Sequence, residues 1–381
     1  MHDPSPGLMP FHAMEMAARA KALEAAGRSI LHLESGEPAA LPAPSVLAAV
    51  SRAMAGPQGY THSMGRRELR EGLAAYHLRR YGVAVDPEAI IVTLGSSAGF
   101  VLAFHTAFEV GAAVAVTRPG YPAYLNTLAG LGFRPVEIPV RAENGWRLSA
   151  RDIEAAYARQ KFEGLLFASP ANPTGASVSA AELQEIVATC ARLGVRLISD
   201  EIYHGLEYGE PAASATQFTP DALVINSFSK YFCMTGWRVG WMVLPPELVR
   251  RATMLQQSLF IAAPTLSQIA AEAALGEHDY FEAQKAHYRR NEEILGVGLR
   301  ALGFGSVRHP DGAFYAYVDV SKFSNDSMRF CSDLLEVAGV CTTPGIDFDR
   351  VDGSQFMRLS YAGSQATVEA ALQRMAAFIE G

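Results

Sequence analysis

From Ala89 to Leu244 the chain alternates short apolar runs with stretches of helical spacing, and this alternation restricts its fold more than any other feature. The runs are Ile91–Leu94, Ala113–Thr117, Arg134–Pro139, Gly164–Ala168, Arg196–Ser199, Ala222–Asn226 and Val239–Leu244. Most are apolar throughout rather than at every second residue, as a strand covered on both faces requires. The pattern predicts an α/β layered domain with a mostly parallel seven-stranded sheet, covered by helices. Ligands of such sheets bind beyond the carboxyl ends of the strands. The residues that follow each run are therefore the ones to read for chemistry.

The sixth run leads into Asn226–Trp241, NSFSKYFCMTGWRVGW. Lys230 sits among small hydroxyl residues, Ser227 and Ser229, at the end of a buried strand. In a dry pocket desolvation favours the neutral amine. A neutral amine attacks an aldehyde and forms a Schiff base. Arg238, eight residues on and preceded by Gly236-Trp237, offers a planar fork to a phosphate dianion. An aldehyde together with a phosphate suggests pyridoxal 5'-phosphate (PLP).

Other runs end in polar turns of the same kind. After the first, Gly95-Ser96-Ser97-Ala98-Gly99 opens a helix whose N–H groups can converge on an anion. After the second comes RPGYPAY, with Tyr121; after the fourth, Ser169-Pro170-Ala171-Asn172-Pro173-Thr174-Gly175. After the fifth comes LISDEIYHGL, which puts Asp200 at a strand end and Tyr203 three residues later. Read singly, the Gly-Ser helix start and the Tyr121 turn are common in proteins of any function. His204 is read here as structural, and Cys233 as buried filler.

S-x-S-K with G-W-R, N-P-T-G and D-E-x-Y, in this order and spacing, resemble the signature of class I/II aminotransferases, the fold-type I PLP enzymes. The resemblance runs from about Ala22 to the C-terminus. It implies amino transfer from an L-amino acid to a 2-oxo acid, in a ping-pong sequence at a PLP site. It implies Lys230 as the Schiff-base lysine and proton carrier, and Asp200 against the pyridine nitrogen. Asn172 and Tyr203 would face the phenolic oxygen, and Tyr121 would stack on the ring. Ser96, Ser97, Ser227 and Arg238 would surround the phosphate. Tyr60, ahead of the Arg66–Arg80 helix, would reach the partner's phosphate across a homodimer interface. Gly36, Asn172 and Arg358 (in MRLSYA) would receive the substrate carboxylate. A large domain over 46–289 and a discontinuous small α+β domain over 1–45 and 290–381 are expected. Ala313–Val320 and Gln355–Ser360 read as strands of the small domain, and Thr367–Glu380 as a closing helix.

The net charge of −7, from 39 acidic and 32 basic residues, argues against nucleic acid as the main partner. The four cysteines, Cys190, Cys233, Cys331 and Cys341, form no C-x-x-C pair, as suits a reduced, cytoplasmic compartment. MHDPSPGLMPF lacks the layout of a signal peptide, and polar residues interrupt the apolar stretch 90–117, so no membrane anchor is expected. The ten histidines form no H-E-x-x-H, and no metal site is expected.

Two rival readings differ in class. A fold-type I lyase would use the same parts. A PLP-binding regulator would carry a DNA-binding segment ahead of this domain, whereas here the fold starts almost at Met1. Donor choice rests on Gln256–Gln268, QQSLFIAAPTLSQ, the region from which the partner subunit of aspartate-specific relatives often supplies an arginine. It holds no Lys or Arg, so neutral or aromatic donors are expected, with 2-oxoglutarate or pyruvate as acceptor. Arg251 or His12 would have to serve an aspartate donor.

Overall fold

The structure, a computed structural model, describes residues 8–381. The reading of the N-terminus as free of a signal peptide falls partly outside them. The chain begins with α1 (His12–Ala25), β1 (Leu31–His32), α2 (Pro44–Ala53) and α3 (Arg67–Tyr81). The alternating region follows: β2 (Ile90–Thr93), α4 (Gly95–Ala107), β3 (Ala113–Arg118), α5 (Pro122–Gly130), β4 (Arg134–Pro139) and α6 (Ala150–Arg159). It continues with β5 (Gly164–Ala168), α7 (Ala180–Leu193), β6 (Arg196–Asp200), β7 (Leu223–Ser227) and β8 (Gly240–Val243). Three helices come next, α8 (Pro246–Leu259), α9 (Thr265–Ala274) and the long α10 (His278–Leu302). The last part holds β9 (Tyr315–Asp319), α11 (Ser327–Asp333), β10 (Val340–Cys341), β11 (Thr343–Pro344), β12 (Phe356–Ser360) and α12 (Gln365–Glu380).

The seven expected runs form one sheet, in the order β2-β8-β7-β6-β5-β3-β4. Each observed strand lies within about two residues of its run. Strands β3 to β7 pair in parallel, whereas β8 pairs antiparallel with both β7 and β2. This reversal bears on function. The beginning of β8, not its end, lies with the carboxyl ends of its neighbours, and Arg238 just precedes it. Successive residues of the strands face two separate apolar clusters, as β2 and β3 show. Ile90, Val92, Ala113 and Ala115 join one; Ile91, Val114 and Val116 join the other. Burial on both faces is why these runs are apolar throughout.

The later strands make a three-stranded antiparallel sheet, β11-β12-β9, which carries Arg358 on its middle strand. Expected strand 313–320 is shorter than read, and the segment 30–38 holds only two strand residues, Leu31–His32. Those two pair in parallel with Val340–Cys341, more than 300 positions away. The remainder, Glu34 to Pro38, is irregular backbone beside the cavity. No described helix is long and apolar enough to cross a membrane.

Candidate active site

The strand ends meet a cavity of about 520 Å³. Ser96, Ser97, Tyr121, Asn172, Asp200, Tyr203, Lys230, Arg238, Gly36 and Arg358 all line it. Ser227 lies just behind, buried, with its Oγ 2.9 Å from Ser229 Oγ. Of the residues to which a site role was assigned, Tyr60 alone neither lines the cavity nor lies directly behind it. It is 86% exposed, and this subunit's cavity does not include it.

Lys230 Nζ donates to the carbonyl of Gly36 at 2.6 Å. Burial pushes its amine down to about 8; Arg358 and Arg238 add to the shift, while Glu37 and Asp200 oppose it. A lysine that loses its proton near neutrality is a usable nucleophile and base. Asp200 ends β6 and is only 3% exposed. The Tyr124 hydroxyl donates to its Oδ2, and the Ile202 N–H to its Oδ1 at 3.1 Å. Burial pushes the carboxyl up to about 6 against the pull of those donors and of Lys230. A buried acid of this kind is stabilised by a cationic ring nitrogen placed against it.

Arg238 adopts a left-handed backbone conformation, φ 51°, and its Nη1 donates to Thr235 O at 3.0 Å. Its other guanidinium nitrogen lies across the start of α4. A Cβ on Gly95 would come within 2.5 Å of Arg238 Nη2 and push the guanidinium aside, and the backbone there, at φ 70°, favours glycine. Gly240 is equally tight: a Cβ there would lie 3.1 Å from the Ser96 backbone nitrogen. No side chain caps α4, and its first-turn N–H groups stay available to an anion. The guanidinium, the helix start and Ser96 and Ser97 lie together along the cavity, a set of donors of the kind a phosphate takes.

Arg358 closes the other end. It is buried, with Nη1 donating to Asn172 Oδ1 at 3.0 Å and Nη2 to the Glu34 carbonyl. Its Cζ lies 4.4 Å over the Tyr315 ring and 4.9 Å from the Phe348 ring. Its Nε has no partner among the described residues. Because Asn172 accepts from Arg358 through oxygen, its amide nitrogen is left to donate into the cavity. Tyr203 Oη lies 2.8 Å from Tyr315 Oη.

Tyr124 and Tyr315 are site residues that the sequence reading missed. Tyr124 follows Tyr121 by three positions in RPGYPAY and sits one turn into α5, which was a usable signal. Tyr315 looks like any aromatic at the start of a core strand. His204 has the structural place read for it. Its Nε2 donates to Ser169 O at 2.9 Å and its Nδ1 accepts from the Tyr81 hydroxyl at 2.7 Å. It thereby ties the turn carrying Tyr203 to the turn carrying Asn172. Burial pushes the imidazole down to about 3, so it remains neutral.

A buried lysine with a lowered pKa, a buried carboxylate in the same cavity, a cluster of anion donors and a buried arginine are what a cofactor-dependent enzyme acting on a carboxylate substrate would need. The model of the aminotransferase class I and II family matches residues 28–375. The chain belongs to that family: it is a PLP-dependent aminotransferase. It is 42% identical over 378 residues to the valine–pyruvate aminotransferase of Mycobacterium tuberculosis, covering 98% of this chain and 97% of that protein. The crystal structure of an aminotransferase from M. tuberculosis superposes with a TM-score of 0.95 at 41% identity, covering 100% of this chain and 99% of the other. Aspartate aminotransferase from Thermus thermophilus with maleate gives 0.93 at 32% identity, over 99% and 100% of the two chains.

The residues fit PLP. When bound, the cofactor supplies an aldehyde for the amino group and a pyridine ring that acts as an electron sink.

Proposed function

We propose that this enzyme moves the amino group of neutral, aliphatic or aromatic, L-amino acids to pyruvate or 2-oxoglutarate, in two half-reactions at one site. In this reading Lys230 Nζ carries the cofactor, then takes the proton from the donor's α carbon and returns it one step later. Asp200 keeps the ring nitrogen protonated. Asn172 Nδ2 and Tyr203 Oη face the ring oxygen, and Tyr121 lies against the ring. Ser96, Ser97, Ser227 and Arg238 hold the phosphate, joined by the partner subunit's Tyr60 in a homodimer. The exposure of Tyr60 suits that last role. Arg358, with Asn172 and the Gly36 backbone, receives the α-carboxylate. Residues 46–289 form the larger body in this reading, and 1–45 with 290–381 the smaller, so that both contribute to the cavity.

The donor class rests on one observation, the wall supplied by the N-terminal segment. Phe11, Ala13, Met14 and Ala17 line the cavity there, joined by Tyr121 and Ile202. Phe11 packs edge-on against Tyr121, with ring centroids 6.0 Å apart. Apolar surface buried against this wall gains about 25 cal/mol per Å². A second carboxylate would lose several kcal/mol on desolvation unless a cation met it. Gln256–Gln268 places no residue in the cavity lining. Lys21 lines the cavity but is exposed, and His32 is held between Glu24 (3.1 Å) and Glu34 (2.8 Å). The valine–pyruvate relative supports a neutral donor and a pyruvate acceptor. An aspartate donor, as in the Thermus enzyme's name, would have to draw Lys21 or His32 inward.

The test is kcat/KM for valine, leucine, phenylalanine, alanine and aspartate with one fixed acceptor. Neutral donors are expected to lead. Aspartate ahead of all of them by tenfold or more, about 1.4 kcal/mol in transition-state binding, would overturn the donor assignment.

A further inference from the structure

Tyr315 stands where the cofactor end and the carboxylate end of the cavity meet. It begins β9 and is only 1% exposed. Its ring lies under the Arg358 guanidinium, 4.4 Å from Cζ. Its hydroxyl meets Tyr203 Oη at 2.8 Å and is the sole hydrogen-bond partner of Tyr203 Oη among the described residues. The same hydroxyl presses on Gly36: a Cβ there would come within 2.2 Å of it. Gly36 in turn holds Lys230 Nζ through its carbonyl. One phenol therefore touches two proposed functional groups, Arg358 and Tyr203, and the partner of a third, Lys230.

The pair of phenols has two hydroxyl hydrogens, and their mutual contact uses only one. The other is free to point elsewhere, and the choice decides what Tyr203 can do. If Tyr203 donates to Tyr315, it can only accept from a ligand. If Tyr315 donates, the Tyr203 hydrogen is released into the cavity. The surroundings favour the second arrangement. The Arg358 guanidinium lies directly over the Tyr315 ring, 4.4 Å from its centroid, whereas Tyr203 is one contact further away. Burial raises both phenols, Tyr203 far above its ordinary value, and the Arg358 charge pulls against that rise in both. The more acidic phenol is the better donor.

We infer that Tyr315 is a positioning residue: by donating to Tyr203 Oη it turns the Tyr203 hydrogen toward the ring oxygen of the cofactor. This rests on the proposed role of Tyr203. The ring and the hydroxyl of Tyr315 do different work. The ring packs beneath Arg358 and keeps the guanidinium in place. The hydroxyl orients Tyr203.

The two tasks separate in the holoenzyme. Tyr315→Phe keeps the ring and removes the donor; Tyr203→Phe and the double variant complete a cycle. Three quantities are read: the pH titration of the bound cofactor's absorbance, kcat, and the dissociation constant of 3-phenylpropionate, a carboxylate that lacks an amine. Tyr315→Phe is expected to move the titration midpoint in the same direction as Tyr203→Phe and to lower kcat about tenfold. Binding of 3-phenylpropionate should change less than about twofold, because a phenyl ring still lies under Arg358. Tyr315→Leu, which loses the ring as well, should weaken it about fivefold or more. The double variant should titrate like Tyr203→Phe alone.

A wild-type titration in Tyr315→Phe, with a shift in Tyr203→Phe, overturns the inference and leaves the Tyr203 role standing. A further shift when Tyr315→Phe is added to Tyr203→Phe also overturns it, since Tyr315 would then act by another route. No shift in Tyr203→Phe removes the Tyr203 reading and this inference together.

Discussion

The two ends of the cavity are built on different principles. At the phosphate and ring end, each group sits within a few residues of a strand end of one sheet. Ser96 follows β2, Asp200 ends β6, Lys230 follows β7 and Arg238 precedes β8. Their spacing is that of neighbouring strands, and a buried sheet hardly deforms. At the carboxylate end the groups come from distant parts of the chain. Arg358 on β12 bonds Glu34, 324 positions away, and Asn172, 186 positions away. The wall beside it is a helix from the N-terminal segment, pinned where His12 and Ala13 N–H groups bond Asp347. The first end is set by local chain geometry, the second by tertiary assembly.

A change at the strand-end side should therefore damage the reaction itself. Asp200→Ala is expected to lower kcat by about 10²–10³-fold, with the cofactor still bound through the anion donors and Lys230. The check is steady-state kinetics together with the bound-cofactor spectrum. A normal kcat would break the comparison, because the buried carboxylate would then have no part in the chemistry.

At the other end the damage should fall on substrate capture. Removing the buried cation in Arg358→Leu forfeits charge-assisted hydrogen bonds worth about 1.5–3 kcal/mol. KM for both amino acid and 2-oxo acid should rise about 10- to 100-fold, with the cofactor's absorbance unchanged. A large kcat loss at unchanged KM would mean that the two ends are not separable in this way.

The smallest effect sharpens the strand-end side alone. The Lys230 amine has an ordinary value of 10.5 and burial brings it down to about 8. Below that pH it is mostly protonated; above it, neutral and reactive. The rate at which apoenzyme captures PLP should thus rise by several-fold between about pH 7 and 8 and flatten above about pH 9. A rate still climbing tenfold per unit to pH 10 would place the amine in an ordinary solvated setting.

The same contrast explains what the sequence made legible. The seven runs matched the sheet because strands buried on both faces must be continuously apolar, and their polar ends carried the motifs. Lys230, Asp200, Asn172 and Arg238 were therefore visible as residues that follow or precede a strand. Elements held only by tertiary contacts left no such trace. Strands β10 and β11 have two residues each, too short for any period, and their pairing depends on partners elsewhere in the chain. The length of β9 was overread for the same reason. Tyr315 was missed because its place against Tyr203 arises only when β9 packs across the turn after β6. Arg358 was found through its resemblance to a family pattern, since nothing in the residues around it marks a buried cation.

Lys230 as the residue that carries the cofactor is the claim on which all of this depends. Borohydride reduction of the holoenzyme, followed by digestion and mass spectrometry, tests it directly. The reduced cofactor mass is expected on the peptide containing Lys230, and Lys230→Ala should retain none. Recovery of the label on another lysine, such as Lys21 at the cavity wall, would contradict it.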